Sequence, residues 1–157
     1  MPINYQPLNL KEKEHLNRVG WFFHGEWEPR GIMPMLFDSA RWGQCGEAVV
    51  AEEDGKIVGV VTLAFAGINN SGQPTIDTVY VTPSHWRQGI GETLFEMGMR
   101  RILEVVGDVQ VSCDLQTRRM LGLVAKLPEE LQSRLDLRHS YQYGDIEDSF
   151  SPPSEEP

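Results

Sequence analysis

The chain has 157 residues, 40 % of them hydrophobic and 24 % charged, which sets the expectation of one soluble globular domain with one core. Its formal net charge is −9, and a basic footprint for nucleic acid is missing. No apolar run reaches the ~18 residues that a membrane-spanning helix needs, and the first residues lack a signal-peptide pattern, so a cytoplasmic protein is expected.

Residues 3–9 alternate weakly (Ile3, Tyr5, Pro7) and predict a short edge strand. Lys11 to Phe23 reads as a helix with Leu16, Val19 and Phe23 on one side. The stretch after it holds Gly25, Pro29, Gly31 and Pro34 and reads as a loop, with a second short helix over Met35 to Trp42. Glu47 to Phe65 holds two apolar β-branched runs separated by Glu52-Glu53-Asp54-Gly55-Lys56. Asp-Gly between two such runs marks a hairpin. A polar loop, Ile68 to Pro74, precedes a strand over Thr75 to Val81.

Gly89 to Val106 reads as a long helix with Ile90, Leu94, Met97 and Val105 on one face. Phe95, Met99 and Ile102 widen that face, Glu96 and Arg100 pair on the wet side, and Gly107-Asp108 ends the helix. Val109 to Cys113 is the next strand, and Thr117 to Leu127 a helix stopped by Pro128. Leu135 to Tyr143 then alternates strictly, as a half-buried strand does. Residues 145–157 hold five acids and no base, which leaves −4 on the rest, and read as a disordered tail after a domain of residues 1–144. The element order implies an α/β (α+β) fold with a mixed, mostly antiparallel central sheet flanked by helices.

The most informative stretch is Val79 to Leu94. An apolar strand ends at Pro83, and Arg87, Gln88, Gly89, Ile90 and Gly91 lead into the long helix. Bare peptide N–H groups at a helix start form a site for phosphate. The spacing is neither a dinucleotide fingerprint, since position 94 is Leu94, nor a Walker A loop, which needs Gly-Lys-Ser/Thr. Cys45 and Cys113 lie far apart without metal-ligand spacing, so two reduced thiols and no metal are expected.

Here the chain resembles the GNAT family of acyl-CoA-dependent N-acetyltransferases, whose pattern is V-x-P-x-x-R-x-x-G-x-G-x-x-L or a near variant. Val81, Pro83, Arg87, Gln88, Gly89, Ile90, Gly91 and Leu94 carry the likeness, and the element order extends it over roughly Ala48 to Leu127. The resemblance implies the acyl-CoA N-acyltransferase fold and acetyl-CoA as co-substrate. The CoA pyrophosphate would lie on the N–H groups of Gln88 to Glu92, with the Thr93 hydroxyl beside it. The pantetheine arm would pair with the backbone of Val79 and Val81, and the strand Val109–Cys113 would splay away. A backbone N–H of that strand edge would polarise the acyl carbonyl for direct attack by a primary amine of a small molecule or peptide.

The chain departs from the family pattern in several places, among them Pro128 and Glu129 where Gly-Phe often starts the next strand. Trp86 stands at the usual basic position, and the following helix puts Thr117, Met120 and Val124 where Asn, Ala and Tyr are common. That tyrosine usually protonates the leaving thiolate. Tyr80, Cys113, Tyr141 and Tyr143 are the alternative donors. Asp77, read as lying two residues along the same strand face as Thr75, is the first choice for base; His85 and His24 are alternatives. Trp21, Trp27 and Trp42 line an acceptor pocket or a dimer face, or cap a small core, and Glu26 and Glu28 beside them would attract a cationic acceptor. Two readings stand against each other: an N-acetyltransferase, or a GNAT-fold protein that binds acyl-CoA without turnover. A plain interaction domain is a third.

Overall fold

The computed structural model describes residues 2–27, 45–67, 72–114 and 118–138. Six strands form one sheet in sequence order: β1 (Asn4–Asn9), β2 (Glu47–Glu53), β3 (Lys56–Ala64), β4 (Thr75–Val81), β5 (Val111–Asp114) and β6 (Leu135–Arg138). Strands β1 to β4 pair antiparallel, whereas β4–β5 and β5–β6 are parallel. Among the described residues the helices are α1 (Lys13–Trp27), α2 (Ile90–Val106), α3 (Arg118–Ala125) and the single turn α4 (Glu129–Gln132). This is the expected mixed sheet with flanking helices.

The hairpin forms where the sequence places it. Glu53 pairs with Lys56, and the two turn residues take φ of 53° at Asp54 and 79° at Gly55. A two-residue turn with positive φ at both positions matches the twist of the flanking strands.

Each face of the sheet is covered. On one side α1 packs Val19 and Phe23 against Leu8, Ala48, Val50, Val60 and Ala64. On the other, α2 packs Ile90, Leu94, Phe95, Met99 and Ile102 against Val49, Val61, Leu63 and Ile76. Strands buried on both faces read as continuous apolar runs, which is how Ala48–Ala51 and Ile57–Val61 read. The bidentate pair from Arg101 Nε and Nη2 to Glu47, at 2.8 and 2.7 Å, ties α2 to β2.

Strand β4 contains a bulge. Thr62 pairs with Thr78 and Leu63 with Ile76, which leaves Asp77 as the extra residue. The bulge breaks the period of two, so the spacing from Thr75 to Asp77 does not place them on one face. Ile76, Val79 and Val81 all join the α2 cluster, while Tyr80 joins the α1 cluster.

Several expected boundaries differ. Helix α1 runs through Gly25 to Trp27; a Cβ at Gly25 would meet nothing within 4 Å, and the helix is held by Phe23 rather than stopped by its glycine. Val105 is 49 % exposed, because the buried face of α2 turns through Ile102 instead. Strand β5 starts at Val111, and Pro128 caps a new turn, α4, instead of only ending α3. The expected helix over Met35–Trp42 and residues 139–157 lie outside the described residues.

Two glycines of similar sequence context differ in packing. A Cβ at Gly98 would lie 3.0 Å from Leu63 and 3.2 Å from both Ile76 and Val61, whereas one at Gly122 would meet nothing within 4 Å. Gly98→Val is expected to lower unfolding free energy by about 1–3 kcal/mol through overpacking. Gly122→Ala is expected to raise it by about 0.5–1 kcal/mol. Urea denaturation of the two variants checks both signs. A second expectation concerns pH. The Arg18 hydrogen bond holds the Glu52 carboxyl below its usual range. A lowered carboxyl pKa contributes stability that is present above the unfolded value and lost as pH falls through the folded one. The stability gap between the native chain and Glu52→Gln should therefore close on acidification below about pH 4, measured by urea midpoints across the pH range.

Candidate functional site

The site forms where β4 loses its neighbour. Only Thr75 and Ile76 pair with β5, opposite Ser112 and Cys113, although β4 continues to Val81. The Thr82 N–H donates to Val58 O at 2.9 Å, continuing the β3–β4 ladder. Antiparallel ladders alternate, so Thr78 and Tyr80 turn their peptide groups toward β3. Val79 and Val81 turn theirs the other way, into the gap that opens between β4 and β5.

Beyond the strand, a 3₁₀ turn over Pro83–His85 leads to α2. Arg87 has φ of 66° and Gly89, the N-cap, φ of 78°, so the chain turns sharply into the helix. Glycine takes this left-handed geometry without steric cost, whereas it costs Arg87 roughly 1–2 kcal/mol. The first intrahelical bond runs from Thr93 N–H to Gly89 O at 3.0 Å. The N–H groups of Ile90, Gly91 and Glu92 precede it and have no acceptor within the helix. Gly89 offers no side-chain cap. Three uncapped donors at the positive end of a 17-residue helix favour an anion there. A Cβ at Gly91 would stand 3.2 Å from Leu123 and 3.6 Å from Val81, so glycine lets this first turn lie close against β4 and α3.

The candidate residues divide between these two features and the sheet face behind them. Val79 and Val81 line the gap; Gln88 to Glu92 form the helix entry. The Thr93 hydroxyl bends back to Gly89 O at 2.9 Å. Asp77 is 2 % exposed at the bulge, with the Thr78 hydroxyl donating to its Oδ2 at 3.2 Å. Tyr80 lies on the α1 face of β4, its ring centroid 5.9 Å from Phe22 and 6.1 Å from Phe23. His85 is engaged in the turn: Nε2 meets Glu53 Oε1 at 2.9 Å, and Nδ1 meets Ser84 Oγ at 2.9 Å. That bond to His85 lowers the Glu53 carboxyl pKa and ties the turn to the β2–β3 hairpin. His24 packs beside the exposed Trp21, ring centroids 5.3 Å apart. Val124, at the family's tyrosine position, is buried in the α2 cluster, as is Cys113. Tyr141, Tyr143 and Trp42 lie outside the described residues.

Three contacts were not legible in the sequence. Trp86 Nε1 donates to Val81 O at 2.8 Å and so takes one of the carbonyls that face the gap. Lys126 Nζ reaches Glu92 Oε1 at 3.1 Å, which sets a cation beside the helix entry. Tyr80 Oη donates to Glu26 Oε1 at 2.9 Å. All three partners meet through tertiary folding, and for the last two no local spacing pattern exists. Trp86 carried one signal, as an aromatic residue at a usually basic position.

The indole bond couples the turn to the strand. Trp86→Phe keeps an aromatic side chain but trims the indole to a phenyl and removes the N–H, and the hydrogen bond alone is worth about 0.5–1.5 kcal/mol. Amide hydrogen exchange over residues 86–92 should accelerate by roughly three- to tenfold, while that of α1 and β2 stays unchanged. Exchange measured residue by residue on both chains checks this.

Comparison with known proteins agrees with this geometry. Residues 14–126 match the model of the Acetyltransferase (GNAT) family. No curated protein matches the chain in sequence. Among solved structures, an acyl-CoA N-acyltransferase from Pseudomonas aeruginosa superposes with a TM-score of 0.57 at 15 % identity, over 70 % of this chain and 77 % of that one. An aminoglycoside N-acetyltransferase in complex with CoA gives 0.54 at 18 % identity, over 83 % and 86 %. A ribosomal-protein-alanine N-acetyltransferase from Brucella melitensis biovar Abortus 2308 gives 0.51 at 16 % identity, over 100 % and 96 %. At these identities the superpositions speak for the fold alone. With a family model matched over most of its length and the strand gap and glycine-led helix entry in place, the chain belongs to the GNAT acetyltransferase family.

Proposed function

We propose that this chain transfers an acetyl group from acetyl-CoA to a primary amine, by direct attack while both substrates are bound. One observation carries the reading. The stretch of β4 beyond its two pairs with β5 and the entry of α2, which has no side-chain cap, lie at the same carboxyl end of one strand, where open α/β sheets bind ligands. The residues fit such a group. The N–H groups of Ile90, Gly91 and Glu92 would hold its diphosphate, with Lys126 nearby as a cation. The peptide groups of Val79 and the Val81 N–H would hold its amide-bearing arm. Acetyl-CoA supplies the activated acyl group.

The remaining chemistry belongs to the chain's own side chains. A backbone N–H at the β4 edge would stabilise charge on an acyl oxygen. An alkylammonium must lose a proton before it attacks, and in this reading Asp77 and Tyr80, both on β4, handle that proton. A thiol has a pKa of about 8.5, so thiolate departure does not require a dedicated acid. The neighbours known as aminoglycoside and ribosomal-protein acetyltransferases support an amine acceptor as a class.

A second reading, acyl-CoA binding without transfer, is favoured by Val124. Its position in the core removes the side chain that family members often use as acid. Both readings predict that CoA raises the melting temperature, by an amount that grows with ligand concentration over Kd. They diverge in thiol release from acetyl-CoA in the presence of kanamycin, spermidine, 2-phenylethylamine or a peptide with N-terminal alanine. Release above background with at least one amine is expected. Thermal protection without release from any would favour the second reading, and no protection by CoA would remove both.

A further inference from the structure

The peptide unit between Val81 and Thr82 is held from both sides. Its N–H, that of Thr82, donates to Val58 O at 2.9 Å across the β3–β4 ladder. The described residues contain no cis peptide bond, and in a trans unit the C=O points opposite the N–H. Val81 O therefore points into the gap, where β5 no longer pairs with β4. The Trp86 indole meets it there, Nε1 donating at 2.8 Å from five residues along the chain. The turn between them is closed by His85 N–H to Thr82 O at 2.9 Å and Trp86 N–H to Pro83 O at 3.2 Å. The indole ring is half-buried against the α1-side cluster, so it reaches the strand edge from the face opposite the Val79 and Val81 side chains.

That contact occupies a group that a donor arm would use. An extended amide chain laid along an open strand edge is held by main-chain hydrogen bonds. Val79 and Val81 each turn an N–H and a C=O to the gap. The indole engages one of these carbonyls before any arm arrives. If the indole stays, an arm amide at Val81 shares the oxygen with a second donor. If the indole withdraws, one hydrogen bond within the protein breaks for the one that forms. In both cases the arm gains less at Val81 O than it would from an unengaged carbonyl.

We infer that the Trp86 indole is a built-in occupant of the acyl-donor groove, which lowers the affinity of this chain for the arm of CoA by holding Val81 O; this rests on the reading of the β4 edge as the acyl-donor site. Acetyl-CoA and released CoA carry the same arm. The contact therefore weakens the hold on substrate and product alike and leaves the transfer step itself unaltered. Trp86 sets donor affinity through the arm, separately from the N–H groups at the entry of α2.

The test measures two dissociation constants on the full chain by isothermal titration calorimetry. One is for CoA and the other for 3′-phospho-ADP, which is CoA without its arm. Trp86 is replaced through nonsense suppression by 3-benzothienyl-L-alanine, which keeps the bicyclic ring and exchanges the N–H for sulfur. CoA should bind this chain about two- to tenfold more tightly than the native one, the ratio for one neutral hydrogen bond, while 3′-phospho-ADP stays within about twofold. Trp86→Phe should shift CoA binding in the same direction, and it decides the matter if the benzothienyl chain does not fold. Unchanged or weaker CoA binding, or an equal gain for both ligands, would overturn the inference. The two readings fail separately. A native chain that binds no CoA removes the acyl-donor reading, whereas CoA binding without the expected split between ligands removes the role of Trp86 alone.

Discussion

Among the described residues, the candidate site depends on one interruption of hydrogen bonding. Strand β4 shares two residue pairs with β5 and then runs on without it. A peptide group turned away from its ladder must find another partner or water. Val81 O finds the Trp86 indole. The other groups of Val79 and Val81 point into the gap, with the spacing that an extended, amide-bearing chain would complete. The gap is therefore a local deficit of backbone partners held open by the rest of the sheet.

Holding it open is a matter of rigidity around it. The antiparallel half of the sheet, β1 to β4, pins one wall, and α2 packs across β2, β3 and β4. Close approach of α2 is set by small residues at the contact: Gly59 faces Leu94 and Ile90, Gly98 faces Leu63 and Ile76, and Gly91 faces Leu123 and Val81. The last of these brings the helix entry, with its uncapped donors, against the end of the strand. The same β4 that forms the wall thus leads directly, through a short turn, into the uncapped end of the helix.

The sequence made the frame legible because its signals are local. Asp54-Gly55 between two β-branched runs specifies the hairpin, and Gly89-Ile90-Gly91 after Pro83 marks the helix entry, both through backbone conformations that few other residues adopt. Helix α1 outran its expected end because tertiary packing of Phe23 outweighed the helix cost of Gly25. The contacts of Glu26 with Tyr80 and Lys126 with Glu92 join residues 54 and 34 positions apart. Such pairs have no period or spacing to betray them. Asp77 shows a subtler limit: alternation was the right rule for its strand, but a bulge shifted the phase at that residue.

That shift has a consequence for how the strand tolerates change. The segments 75–76 and 78–81 each obey a period of two, but they are out of step with one another by one position, and Asp77 is the spacer between them. Removing that single spacer would close the bulge into an uninterrupted alternation and leave the later faces as they are, with Val79 and Val81 still toward α2 and Tyr80 still toward α1. A deletion within residues 78–81 would instead carry the side chains on one side of it to the opposite face. The strand is better described as two short strands spliced at one extra residue, and at that splice the chain can lose a residue without turning its core side chains outward.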